Sequence, residues 1–170
     1  MLSKQRGFTL IETNIYVAII GLTLFSFVQF AFSIVEARNK TYVAQEVQAN
    51  ARIAQNTITQ KIRTATGINI SPSTFGANPG KLSLIMSDTN KNPTIMEIVS
   101  GVLRLTEGTG SAIPITSDEV DVSNLVFTNL SQTGERGHVR VEMTVRYRNP
   151  SGDVKFEYSE TMETAVSLRQ

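Results

Sequence analysis

Few residues in this sequence have the types and spacing that chemistry needs, and each set carries a competing, plainer reading. Asp88, Asn90 and Asn92 are spaced like the first three ligands of a calcium loop. Such a loop needs glycine next and an acidic twelfth position. Pro93 and Val99 stand there instead, which predicts a polar turn. Asp118, Glu119 and Asp121 read as a solvated acidic loop. Arg140, Arg146 and Arg148 form a basic strip, but Glu142 interrupts it and Tyr147 alternates to the other side. No base-stacking platform results, so a solvated sheet face is expected and nucleic acid is not. The lone His138 follows Gly137 in an expected turn and cannot build a His cluster. With 0 cysteines there is no disulfide, thiolate site or cysteine nucleophile. Gly108-Thr109-Gly110-Ser111 lacks the pattern and following helix of a phosphate cradle. The sequence therefore predicts no catalytic residue, metal ligand set or cofactor, and a protein that is not an enzyme.

The strongest signal is of another kind. Glu12 stands at the entrance to 23 uncharged positions, Thr13–Val35, mostly Ile, Val, Leu, Phe and Ala. A bilayer core about 30 Å thick needs about 20 such residues in helix. Lys4 and Arg6 precede the stretch, so the positive-inside rule expects Met1 in the cytoplasm and the C-terminus outside. A carboxylate at membrane depth costs roughly 2.5–3.5 kcal/mol and is usually paired and functional. A secretory signal peptide is the competing reading, with Ala31-Phe32-Ser33 as a small-x-small cleavage site and Ile34 as the mature N-terminus. Its apolar region would be longer than the usual 7–15 residues.

The junction Gly7-Phe8-Thr9-Leu10-Ile11-Glu12 resembles the processing site of type IV pilins and type II secretion pseudopilins, and Ala18-Ile19-Ile20-Gly21 is similar to the pilin helix that follows. The resemblance implies cleavage by a prepilin peptidase between Gly7 and Phe8, N-methylation of Phe8, and a role for Glu12 in filament assembly. It also leaves open calcium in the β-domain, without naming ligands. Many major pilins carry a helix-bending proline where this chain has Gln29, and no proline precedes Pro72. That departure is compatible with a minor subunit.

The elements that must carry this junction follow from periodicity. Val43, Val47, Ala51, Ala54, Ile58, Ile62 and Ala65 recur at helical spacing. Arg38, Gln45, Gln48, Arg52, Gln55, Gln60 and Arg63 fall largely off that stripe. Nothing breaks the pattern until Gly67, so the spacing predicts one helix over Leu10–Thr66. At about 1.5 Å per residue it is roughly 85 Å long. The stripe suits docking on a sheet, with a coiled coil as the alternative.

Ile68–Gly80 reads as a loop and Lys81–Met86 as a strand. Thr94–Val99 and Val102–Thr106 flank Ser100-Gly101 as a tight hairpin. Leu125–Leu130 is another strand, and Val139, Val141, Met143, Val145 and Tyr147 alternate with polar residues as a half-buried one. Asn149-Pro150-Ser151-Gly152 is a turn, and Val154–Ser159 is expected to continue the alternation. The fold class is α+β: a pilin-like roll in which a long spine helix, transmembrane in its first half, packs on an antiparallel sheet. The expected divisions are a leader at 1–7, a helix at 8–66 with 13–35 in the membrane, and a β-domain at 67–170.

Ser123–Thr128, the arginine-rich strand and the ending Ala165–Arg169 also resemble the J-type minor pseudopilin. That implies a structural subunit near the tip of a type II secretion pseudopilus. Its partners would be prepilin peptidase, membrane lipid and the I-type, K-type and major pseudopilins. Its place would be the inner membrane, single-pass, with the C-terminal domain periplasmic, and later the filament. The alternatives are a minor pilin of a type IV pilus or DNA-uptake filament, and a membrane-tethered binding module that never polymerises.

Overall fold

The structure, a computed structural model, describes residues 7–131 and 137–169, without the side chain of Lys155. Leader residues 1–6, Lys4 and Arg6 among them, lie outside the described residues. One helix, α1, covers Leu10–Thr64. The chain divides into two compact units between Lys40 and Thr41.

The first unit is α1 up to Lys40. Its large apolar side chains from Phe8 to Val35 are exposed within the chain. The hydroxyls of Thr23 and Ser26 are satisfied by their own helix, donating to Ile19 O at 2.6 Å and Leu22 O at 2.9 Å.

The second unit holds the rest of α1 and eight strands in two antiparallel sheets. Strands β1 (Gly67–Ile68), β2 (Lys81–Ile85), β3 (Thr94–Val99), β4 (Val102–Glu107) and β5 (Ile113–Pro114) form one sheet in sequential order. Strands β6 (Val120–Asn129), β7 (His138–Tyr147) and β8 (Ser159–Ser167) form the other. The long helix with antiparallel sheets packed on it is the expected α+β pilin-like layout, with two sheets in place of one. They meet where Val122 N–H donates to Gly101 O at 2.8 Å.

All seven residues of the helix stripe are buried, and Val47, Ala54 and Ile62 have no exposed surface. The six from Val47 to Ala65 share a core with Leu82, Leu84, Met96, Leu103, Leu125, Phe127, Val141 and Met143, so the stripe meets the sheets of its own chain. At ~25 cal/mol per Å² of apolar surface removed from water, this burial dominates the stability of the unit. Asn50, within the stripe, is also buried. Its amide donates to Glu46 Oε1 at 2.8 Å and its oxygen accepts from Ser117 N–H at 2.8 Å, which ties α1 to the segment before β6.

The hairpin at Ser100-Gly101 forms as the turn chemistry requires, with φ of 54° and 78°. A Cβ on Gly101 would run into the Asp121 carboxylate. Four other expectations need correction. The helix ends at Thr64, not Thr66, because Thr66 N–H pairs with Ile85 O and Gly67 enters β1 rather than a left-handed cap. Ile68–Gly80 is not wholly loop, since Thr74 bridges Lys81. Asp121 is not in a loop: β6 begins at Val120, and Asp121 lies opposite Arg146. Finally, Val154–Ser159 does not continue the sheet. Val154–Phe156 is a 3-10 turn with Val154 exposed, and the third strand is Ser159–Ser167. The reason is pairing, since β7 finds its partners from Arg146↔Ser159 to His138↔Ser167.

Candidate functional site

The residues singled out at the N-terminal junction lie where α1 begins. Thr9 caps it. Its hydroxyl oxygen accepts from Glu12 N–H at 3.3 Å, and its carbonyl accepts from Thr13 N–H at 3.1 Å. Thr9-Leu10-Ile11-Glu12 is the Ser/Thr-x-x-Glu spacing of a capping box, a signal visible in the sequence that the reading above did not use. Glu12 thereby falls in the first turn, where the helix dipole favours a negative charge. Its carboxylate is half-buried and makes no ion pair among the described residues. Phe8 is 74% exposed, its ring edge-on to Tyr16 at 6.1 Å between centroids. Gly7 is exposed, and a Cβ built on it meets nothing within 4 Å. Among the described residues, no neighbour therefore leaves too little room for a side chain at position 7. The helix that follows is long and apolar enough to cross a membrane, and none of its most apolar window is buried within the chain.

The other candidate sets resolve into ordinary contacts. Asp88 caps a 3-10 turn over Thr89–Lys91 by accepting from Asn90 N–H at 3.0 Å, and Asn92 accepts from Met86 N–H at 3.2 Å. These three residues thus build the polar turn. Among the described residues no group of three His, Asp or Glu could hold a metal ion. The basic strip is divided among local acceptors. Arg146 meets Asp121 at 2.6 Å, Arg140 meets Glu163 at 3.3 Å, and Arg148 donates to Ser100 O at 3.3 Å. His138 is on β7, not in a turn, with Nδ1 2.9 Å from Ser167 Oγ. Tyr147 turns to the opposite side of β7, as alternation requires, and its hydroxyl donates to Glu119 Oε2 at 3.3 Å. Burial first, and then the Glu119 charge and hydrogen bond, push its ionisation above the ordinary 10.0. An open cleft of about 810 Å³ lies beside Arg146, Arg148 and Tyr158 under the 149–157 turn.

The model of the prokaryotic N-terminal methylation motif matches residues 2–27. No curated protein and no solved structure matches the chain. The chain carries a prepilin-type methylation motif, and that motif supports a protein of the type IV pilin and pseudopilin class. The motif implies processing by a prepilin peptidase and pilin-type assembly. With the exposed apolar helix, it fits a membrane-anchored, single-pass protein.

Proposed function

We propose that this chain is a minor pseudopilin of a type II secretion system, a structural subunit assembled near the tip of the pseudopilus and not an enzyme. Prepilin peptidase removes residues 1–7 on the cytoplasmic side of the inner membrane, and Phe8 becomes the methylated N-terminus. Residues 13–35 hold the mature chain in the membrane with its α+β domain in the periplasm. The free Glu12 carboxylate is then available to the N-terminal amine of a neighbouring subunit, since leaving either charge alone in lipid is costly. Its neighbours are the I-type, K-type and major pseudopilins, met through parallel helices.

The observation that carries the reading is Gly7. It sits inside the matched motif, yet no neighbour among the described residues needs a glycine there. A requirement with no internal cause points to an external reader, which is what a processing peptidase is. The test is the intact mass of the protein extracted from membranes. It should lack Met1–Gly7 and carry one added methyl group, and Gly7→Val should retain the leader while the domain's thermal midpoint stays unchanged. A mature N-terminus at Ile34 would establish a secretory signal peptide and end this reading. Deleting the gene should abolish secretion; loss of twitching or DNA uptake instead would move the subunit to a pilus or competence filament.

A further inference from the structure

The sheet edges of the second unit are treated unequally. A strand edge presents unpaired N–H and C=O groups and is usually shortened, covered, bulged or charged to prevent pairing. Strands β1 and β5 are edges of only two residues each. The far edge of β6 is covered by the 76–80 segment: Gly76 and Gly80 N–H donate to Phe127 O and Leu125 O at 2.8 and 2.7 Å, and Asn78 accepts from Leu125 N–H. Strand β8 is an edge of nine residues with no proline, no lysine and no shift of register against β7.

The direction of its free groups can be worked out. Tyr158 O accepts from Tyr147 N–H, and Leu168 N–H donates to Gly137 O, so even-numbered residues face β7. The main chains of Ser159, Thr161, Glu163, Ala165 and Ser167 therefore point away from it. All five residues are exposed, and among the described residues none of these main-chain groups has a partner outside its strand. On the core face of β8, Met162 is only partly buried where it packs against the hydrophobic core. A strand added beside β8 would bring its own side chains on that face alongside Met162.

We propose that the β8 edge is a docking site for an extended segment of a different protein, added as a fourth strand beside β8. The segment has apolar residues on the face toward Ile58 and Met162, and no acidic residue opposite Glu160 or Glu163. A second copy does not fit. Antiparallel self-pairing of β8 needs a two-fold axis normal to the sheet, which reverses the packed length of α1. On the membrane-anchored reading, on which this step rests, all copies point α1 the same way. Head-to-tail pairing would need another long open edge, and among the described residues the other edges are short or covered.

The test uses the full chain in detergent and a nine-residue peptide alternating valine with lysine and threonine. Residue-resolved hydrogen exchange should slow at least ten-fold at the Thr161, Glu163 and Ala165 amides when the peptide is present. A peptide N-methylated at alternate amides leaves the protein untouched and should give no protection. Ala165→Pro, which removes an outward N–H only, should abolish protection while keeping the thermal midpoint. Equal protection by the methylated peptide, or none by the parent, overturns the proposal. Protection that grows with protein concentration, without peptide, puts a second copy on the edge. That result overturns both the proposal and the common orientation of α1, whereas absence of all protection leaves the anchored reading standing.

Discussion

The two lengths of α1 are the same secondary structure built for different surroundings. From Thr13 to Val35 the helix is uncharged and mostly apolar, and it buries almost nothing within its chain. From Thr41 it is mostly polar outside one apolar stripe, and that stripe is buried against two sheets. A helix apolar all round must be covered by something. The first length must find its cover outside the chain, while the second carries its own. Side chains of similar character thus have different surroundings: Ile58 is buried in the domain core, and Ile20 is exposed within the chain.

The largest test of this contrast is a charge in each length. Ile58→Asp should destabilise the α+β domain by roughly 3–5 kcal/mol in denaturant titrations of the detergent-solubilised chain, because it buries an unpaired charge. Ile20→Asp should leave that transition where it is and lower the fraction of protein retained by membranes. Equal shifts of the domain transition would mean that the two lengths do not differ in what covers them.

A smaller effect separates polar groups. Asn50→Leu removes the partner of Ser117 N–H and should cost about 1–3 kcal/mol of domain stability. Thr23→Val removes a hydroxyl bonded only within its own helix turn. It should change that stability by less than about 0.5 kcal/mol. A double-mutant cycle of Asn50→Leu with Glu46→Gln would sharpen the comparison, since both side chains meet at Ser117.

The smallest effect concerns pH. Tyr147 ionises above 10.0 in the folded chain because burial and Glu119 disfavour the phenolate. As pH rises, the unfolded chain releases this proton first. The contribution is therefore complete below pH 10 and disappears as pH climbs through the folded value. Tyr147→Phe should flatten that part of the thermal stability profile above pH 10, with no change at pH 7. An unchanged profile would detach Tyr147 from the core margin.

Much of the molecule was legible in the order of its residues. The apolar stretch, the Gly7-Phe8 junction, the stripe from Val43 to Ala65, the alternation of β7 and the Ser100-Gly101 turn all depend on residues near one another in the chain. Periodicity and turn chemistry are local, so the sequence shows them directly. The partner of β7, the place of Asp121 and the cover over β6 are not local. Val154, Phe156 and Tyr158 alternate as convincingly as residues of the true strand, and only pairing with β7 selects Ser159–Ser167 in their stead. Asp121 joins a strand because Arg146, distant in sequence, lies opposite it. Which edge is left open follows from where a loop happens to return, and no spacing within β8 records it. The sequence alone determined the long helix, its apolar first length, its buried stripe and the alternating β7 strand; the tertiary structure decided which strands meet and which edge stays open, because those depend on contacts that no local pattern encodes.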